Sequence, residues 1–259
     1  MLLLKFFLVP SLIAVITLAG RRWGPSMAGW LSGFPVVTGP ILLLIAIERG
    51  PLFGATAAAW ALSAVLANVC FSLGYSWTAV RYPWWICVAI GLLGYACAAL
   101  VLSAFSPSPY EALIITVVGL CIASQAFPKG RDVNPAASPV SAELPARMVA
   151  GAALVLTVTF FAENLGSRWS GLFAVFPIMG IVLGTFSHAS SGAGFSIRLM
   201  SSMVGGFYAF SLFCFILAVT LPAFGIAFSF LIALACALIV QAISYWIKSL
   251  LQHRRAKVQ

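Results

Sequence analysis

The sequence predicts an all-α membrane protein with nine transmembrane helices, arranged as two inverted four-helix repeats joined by one extra helix. Three observations predict it. The chain is 63% hydrophobic and 7% charged, with a mean hydropathy of +1.10, too apolar a composition for a soluble globule. Its apolar runs are about 17–24 residues long, enough to cross the hydrocarbon core as helices. And a segment near the start recurs without gaps 142 positions later: Gly24 falls on Gly166, Gly29 on Gly171, Phe34 on Phe176, Pro35 on Pro177, Gly50 on Gly192 and Phe53 on Phe195. Self-similarity at a fixed offset is the mark of internal duplication.

The first apolar run, 2–19, has the look of a secretory signal but lacks a small-x-small cleavage site before Arg21-Arg22. It also has a counterpart at 144–161, with Lys5 on Arg147 and Thr17 on Thr159, so it is expected to be structural. Spans follow at 28–47, 52–75 and 84–104, completing a first repeat over 1–105. An extra helix at 111–127 is followed by a change of character, with Lys129, Arg131, Asp132, Asn134, Pro135, Pro139 and Glu143 in one polar, proline-rich piece; 106–144 is therefore extra helix plus linker. The second repeat, 145–247, has spans at 145–162, 170–187, 195–220 and 223–247, and 248–259 is a basic tail.

The extra helix decides orientation. Five crossings separate the start of one copy from the start of the next, so the copies enter the membrane from opposite sides. With the tail in the cytoplasm, nine spans place eleven Lys and Arg residues inside and only Lys5, Arg49 and Arg168 outside, a strong positive-inside bias. The expected protein is multi-pass in a bacterial inner membrane, N-terminus out and C-terminus in. The net charge of +9 is thereby explained without nucleic acid as a partner. The partners implied are the lipid bilayer and a small solute, and a homodimer is a compatible assembly.

The polar inventory limits the chemistry. Cys70, Cys87, Cys97, Cys121, Cys214 and Cys236 lie inside apolar runs with no C-x-x-C spacing or nearby histidine, so they read as small packing residues and not as metal ligands. No Ser-His-Asp set or phosphate loop is present, so neither enzyme activity nor a cofactor is expected. All five carboxylates, Glu48, Glu111, Asp132, Glu143 and Glu163, fall at span ends or in the linker, which gives no support to a buried proton relay.

The duplicated stretch is the candidate site. A proline several residues into a helix removes a backbone bond and clashes with the preceding turn. Gly33, Pro35, Gly39 and Pro40 crowd the first copy, and Pro177, Gly180 and Gly184 the second. Two interrupted helices meeting near the bilayer midplane are the binding device of inverted-repeat transporters, and the amides freed at the half-helix starts favour an anion or a solute oxygen. The expected substrate-binding residues are Ser32, Phe34, Pro35, Thr38, Gly39, Asn68, Phe176, Pro177 and Gly180. Two plainer roles compete: Gly29 with Gly33, Gly180 with Gly184 and Ser202 with Gly206 have the spacing of close helix packing, and hydroxyls such as Ser32 also bond their own helix backbone. His188 and Arg198, flanking the turn at 190–194, suit either anion gating or anchoring at lipid headgroups.

Ala28-Gly29-Trp30, Phe34-Pro35 and Glu48-Arg49-Gly50 resemble the small inner-membrane GlpM family, whose members look like a single four-helix unit. The second copy matches with Ser170-Gly171-Leu172 and Phe176-Pro177 but has Ser190-Ser191-Gly192 where the first has its charged pair. The resemblance implies a bacterial inner-membrane protein associated with exopolysaccharide production. It supplies no catalytic residues, and the doubled form departs from the family pattern. The sequence therefore supports two functions: a transporter or exporter of a small polar or anionic solute, and a non-transporting scaffold for an envelope polysaccharide machine.

Overall fold

The computed structural model describes residues 2–35, 37–105, 107–128, 143–162 and 167–256; most of the linker, Glu163, Asn164 and the last three residues lie outside them. The described residues form ten helices and no strand: α1 Leu2–Trp23, α2 Pro25–Ser32, α3 Thr38–Arg49, α4 Pro51–Ala79, α5 Trp84–Ala104, α6 Pro109–Gln125, α7 Leu144–Ala162, α8 Ser167–Ala174, α9 Ile178–Ser191 and α10 Ala193–Ala256. Four helical stretches are long and apolar enough to cross a membrane: Pro51–Ala79, Trp84–Ala104, Gly171–Ser191 and Ala193–Ser244. The exterior is apolar too, with Leu93, Leu100, Ile114, Ile122, Leu231 and Leu238 all exposed, a surface compatible with a lipid surround.

Sequence chemistry sets the boundaries. Gly50 and Gly192 turn the chain between helices at φ 91° and 83°, a left-handed conformation open to glycine at little steric cost. Proline then occupies the first position of α4, where its missing N–H costs nothing. Ser108 and Glu111 close a capping box at the start of α6. The last two spans expected as separate helices, 195–220 and 223–247, are two helices that meet at a kink within α10. The break falls at Gly225, φ 73°, and not at Pro222, because the glycine can take the left-handed turn that proline cannot.

The boundaries recur at one offset. Helices α4 and α10 start 142 residues apart. Helices α3 and α9 end 142 apart, and the break at Gly225 stands opposite Pro83, the residue before α5.

The core is built on α4, which packs against α10, α5, α8, α6 and α3, while α2 lies on α10 and α1 on α7. The face of α4 is small: Ala57, Ala58, Ala61, Ala64 and Ala67 are fully buried. Small faces let helix backbones approach closely, which replaces the missing hydrophobic drive between helices in lipid. The short helices sit closest. A methyl group at Gly29 would overlap the Leu199 carbonyl of α10, and one at Gly171 would overlap the Ala57 carbonyl of α4. Leu199 and Ala57 are again 142 apart. Gly33 meets Gly206 backbone to backbone, so the packing role of the Gly29 and Gly33 pair is realised. Among the cysteines, Cys87 and Cys214 are buried as expected, but Cys70, Cys97 and Cys121 are exposed. On an apolar exterior a small thiol is as acceptable as alanine.

Candidate functional site

Both expected interruptions exist. Helix α2 stops at Ser32 and α3 begins at Thr38; α8 stops at Ala174 and α9 begins at Ile178. At the first break the Phe34 N–H donates to Leu31 O at 3.1 Å and not to Trp30 O, the helical partner; at the second the Phe176 N–H donates to Phe173 O at 3.0 Å. The first break thus leaves Trp30 O without its helical donor, and at the second Leu172 O keeps only the 3.3 Å turn bond from the Val175 N–H; a buried carbonyl demands a donor.

Side chains from distant helices supply the donors. Gln241 Nε2 donates to Trp30 O at 3.0 Å, and the Tyr95 hydroxyl donates to Leu172 O at 2.9 Å. Trp30 and Leu172 are equivalent positions, capped from α10 beyond Gly225 and from α5 respectively. Two further donors serve the second break alone: Thr38 Oγ1 donates to Ala174 O at 3.0 Å, and Asn68 Nδ2 donates to Val175 O. Trp30 Nε1 donates to Ser244 Oγ at 3.0 Å, which ties α2 to the end of α10.

Between the breaks lies a cavity of about 50 Å³, room for a few waters at roughly 10–15 Å³ each. Seven of the nine expected residues line it: Ser32, Phe34, Thr38, Asn68, Phe176, Pro177 and Gly180. Pro35 and Gly39 are buried beside it without lining it, and Gly39 faces the ring of Phe213. Ser32 spends its hydroxyl on Ala28 O of its own helix at 2.6 Å, the plainer of its two expected roles. Thr38 and Asn68 instead bond the other broken helix.

Sequence reasoning missed much of the wall. Ile16 of α1 and Met203, Phe207 and Phe210 of α10 complete it, with Val37, Ala174, Val175, Ile178 and Met179 at the breaks. A signal existed for two of them. Phe210 stands 142 residues after Asn68 and Ala174 after Ser32, so carrying those candidates across the offset would have named them. Nothing in the sequence marks Ile16, Met203 or Phe207.

A second polar cluster lies away from the cavity. Arg147, only 4% exposed, donates from Nη2 to Glu143 Oε2 at 3.1 Å and to Ser190 Oγ at 3.5 Å, with its guanidinium over the Phe186 ring at 5.5 Å. It fastens α7 to the end of α9. Nearby on α9, His188 Nδ1 lies 3.2 Å from the Tyr75 hydroxyl, while Arg198 is exposed. None of these residues lines the cavity, so His188 and Arg198 are not brought to the candidate site. Among the described residues no group of three His, Cys, Asp or Glu side chains is placed to hold a metal ion.

Comparison with protein-family models, with curated proteins and with solved structures finds no match to this chain. The functional reading rests on the cavity.

Proposed function

We propose that this chain is a multi-pass inner-membrane transporter or exporter of a small polar or anionic solute, built from two inverted copies, with its binding site where the two broken helices meet. One observation carries the reading: residues of both breaks line the same cavity. Irregular backbone at membrane depth is tolerated where protein or a watery cavity covers it, and substrate sites of inverted-repeat transporters lie between discontinuous helices. The recurrence of helix boundaries at one offset and the inside bias of Lys and Arg support duplication with inversion. The breaks lie far apart in sequence, and packing has brought them to one place.

The second reading is a non-transporting scaffold for an envelope polysaccharide machine, as the GlpM resemblance implies. It draws on the fact that Thr38, Asn68 and Tyr95 spend their donors on holding the second break, as a purely structural network would.

Osmotic-shrinkage assays on proteoliposomes, with acetamide, glycine and sodium acetate as test solutes, separate the two. Transport predicts protein-dependent entry of at least one solute, lowered about tenfold by Pro35→Ala or Pro177→Ala, a loss equivalent to roughly 1.4 kcal/mol of barrier. Entry at equal rates in all three proteins refutes the site assignment. No protein-dependent entry of any solute favours the scaffold.

A further inference from the structure

Two directions lead away from the cavity, related by the 142-residue offset, and they are chemically unequal. On one, α4 carries Asn68, Ser72, Tyr75 and Ser76 at a spacing that keeps them on one face over about 12 Å of helix. These side chains are 4, 0, 0 and 0% exposed. Helix α9 lies against them: a methyl group at Gly180 would strike the Phe71 ring, and one at Gly184 would touch the Tyr75 ring. Ser196 of α10 adds a buried hydroxyl, which donates to Gly184 O at 3.0 Å. At the far end the Tyr75 hydroxyl meets His188 Nδ1 at 3.2 Å, tying α4 to α9.

In the other direction Phe210, Cys214, Leu217 and Ala218 stand for Asn68, Ser72, Tyr75 and Ser76, and Leu42, Ala46 and Gly54 stand for Gly184, His188 and Ser196. The side chains of this set are buried and apolar, the thiol counting as a small hydrophobe, and Gly54 lies against Ala46. This half shows that the helices pack without a hydroxyl, a phenol or an imidazole. Their presence in the first half calls for a use beyond packing, because a polar side chain in an apolar segment costs free energy wherever it lacks a partner. Ser72 settles its hydroxyl on Asn68 O at 2.9 Å. Ser76 Oγ and Thr185 Oγ1, the latter one residue after Gly184, are buried with no partner among the described residues.

We propose that the face formed by Asn68, Ser72, Tyr75 and Ser76 is the passage by which solute reaches the cavity from the His188 end, the cytoplasmic end in the proposed orientation, and that the Tyr75–His188 hydrogen bond is its gate. With the bond made, the Tyr75 ring covers Gly184 and the passage is shut, in keeping with the complete burial of Ser72 and Ser76. Breaking the bond frees the end of α9, already separated from α8 by the break at 175–177, to move off α4. Gly180 and Gly184 offer no side chain to hold it there. The hydroxyls then replace part of the hydration that a polar solute gives up. This rests on the transport-site reading and adds to it the side from which the cavity fills and the residues that admit the solute.

The test is cysteine accessibility of the full chain in sealed vesicles, with the native cysteines replaced. Ser72→Cys should react with a membrane-impermeant methanethiosulfonate from the same side as Ala189→Cys, an exposed position beside His188, whichever way the chain is inserted. A chain that keeps Cys214, the counterpart of Ser72, as its one cysteine should react from neither side. Tyr75→Phe keeps the ring and deletes the bond, and is expected to speed labelling at position 72 about tenfold, the worth of one hydrogen bond. His188→Ala should do the same from the other partner. Reaction of Ser72→Cys from neither side, or from the side opposite Ala189→Cys, overturns the passage, as does labelling of Cys214 at the rate of position 72. Labelling at position 72 that neither variant accelerates overturns the gate. Solute flux in proteoliposomes without labelling at position 72 overturns the passage and leaves transport standing. Gated labelling without flux of any test solute overturns transport and leaves the gated opening standing.

Discussion

Asn68 shows what one residue discloses and what it conceals. An amide in a run of alanines and valines must find partners, so its importance is plain from composition alone. Its partner, the carbonyl of Val175, lies 107 residues away and is exposed only because α8 ends there. Replacing Asn68 with leucine strands that carbonyl and should cost about 1–3 kcal/mol. Thr38→Val, which strands Ala174 O, should cost a similar amount. Both costs are measurable by unfolding in mixed detergent micelles. The double variant should lose less than the sum, since both side chains hold the same break. Ser32 teaches the opposite lesson: a hydroxyl beside a break satisfied within its own turn, so Ser32→Ala should leave stability within about 0.5 kcal/mol of wild type.

At the scale of elements, glycines do two different jobs that stability measurements can separate. Gly29 has no space for a side chain, since a methyl group would strike the Leu199 carbonyl. Gly29→Ala should force α2 off α10 and cost roughly 1–3 kcal/mol. Gly50 has open space around it but a φ of 91°, so Gly50→Ala pays only the left-handed backbone penalty of about 1–2 kcal/mol. A compensating small-to-smaller change on α10 cannot relieve Gly29→Ala, because the obstacle is backbone. The interruptions themselves were legible, since Pro35 and Pro177 each break a hydrogen-bond ladder wherever they sit. The break at Gly225 was misplaced onto Pro222 because either residue can end a helix and only the packed chain chooses between them.

For the whole molecule, orientation is the prediction that matters. With nine crossings and the basic tail inside, Pro107→Cys should react with a membrane-impermeant thiol reagent only from outside, and Arg131→Cys only from the cytoplasm, read against a cysteine-free background. Labelling of position 107 from the cytoplasm would refute the N-out, C-in orientation, and labelling of 107 and 131 from the same side would remove the inverted arrangement. The cavity belongs to this scale as well. It is walled by α1, α4 and α10 in addition to the breaks, and beyond Asn68 no local pattern ties those helices to it.

The sequence by itself determined the helical class, the positions of both interruptions and most of the residues beside them, because hydropathy, proline and glycine act through local backbone physics that needs no neighbours. The tertiary structure decided which distant side chains cap the released carbonyls, and that Ile16, Met203 and Phe207 close the wall between the two breaks. Those outcomes depend on which atoms of distant helices come within about 3 Å of one another, a distance that hydrogen bonding requires and that no spacing along the chain encodes.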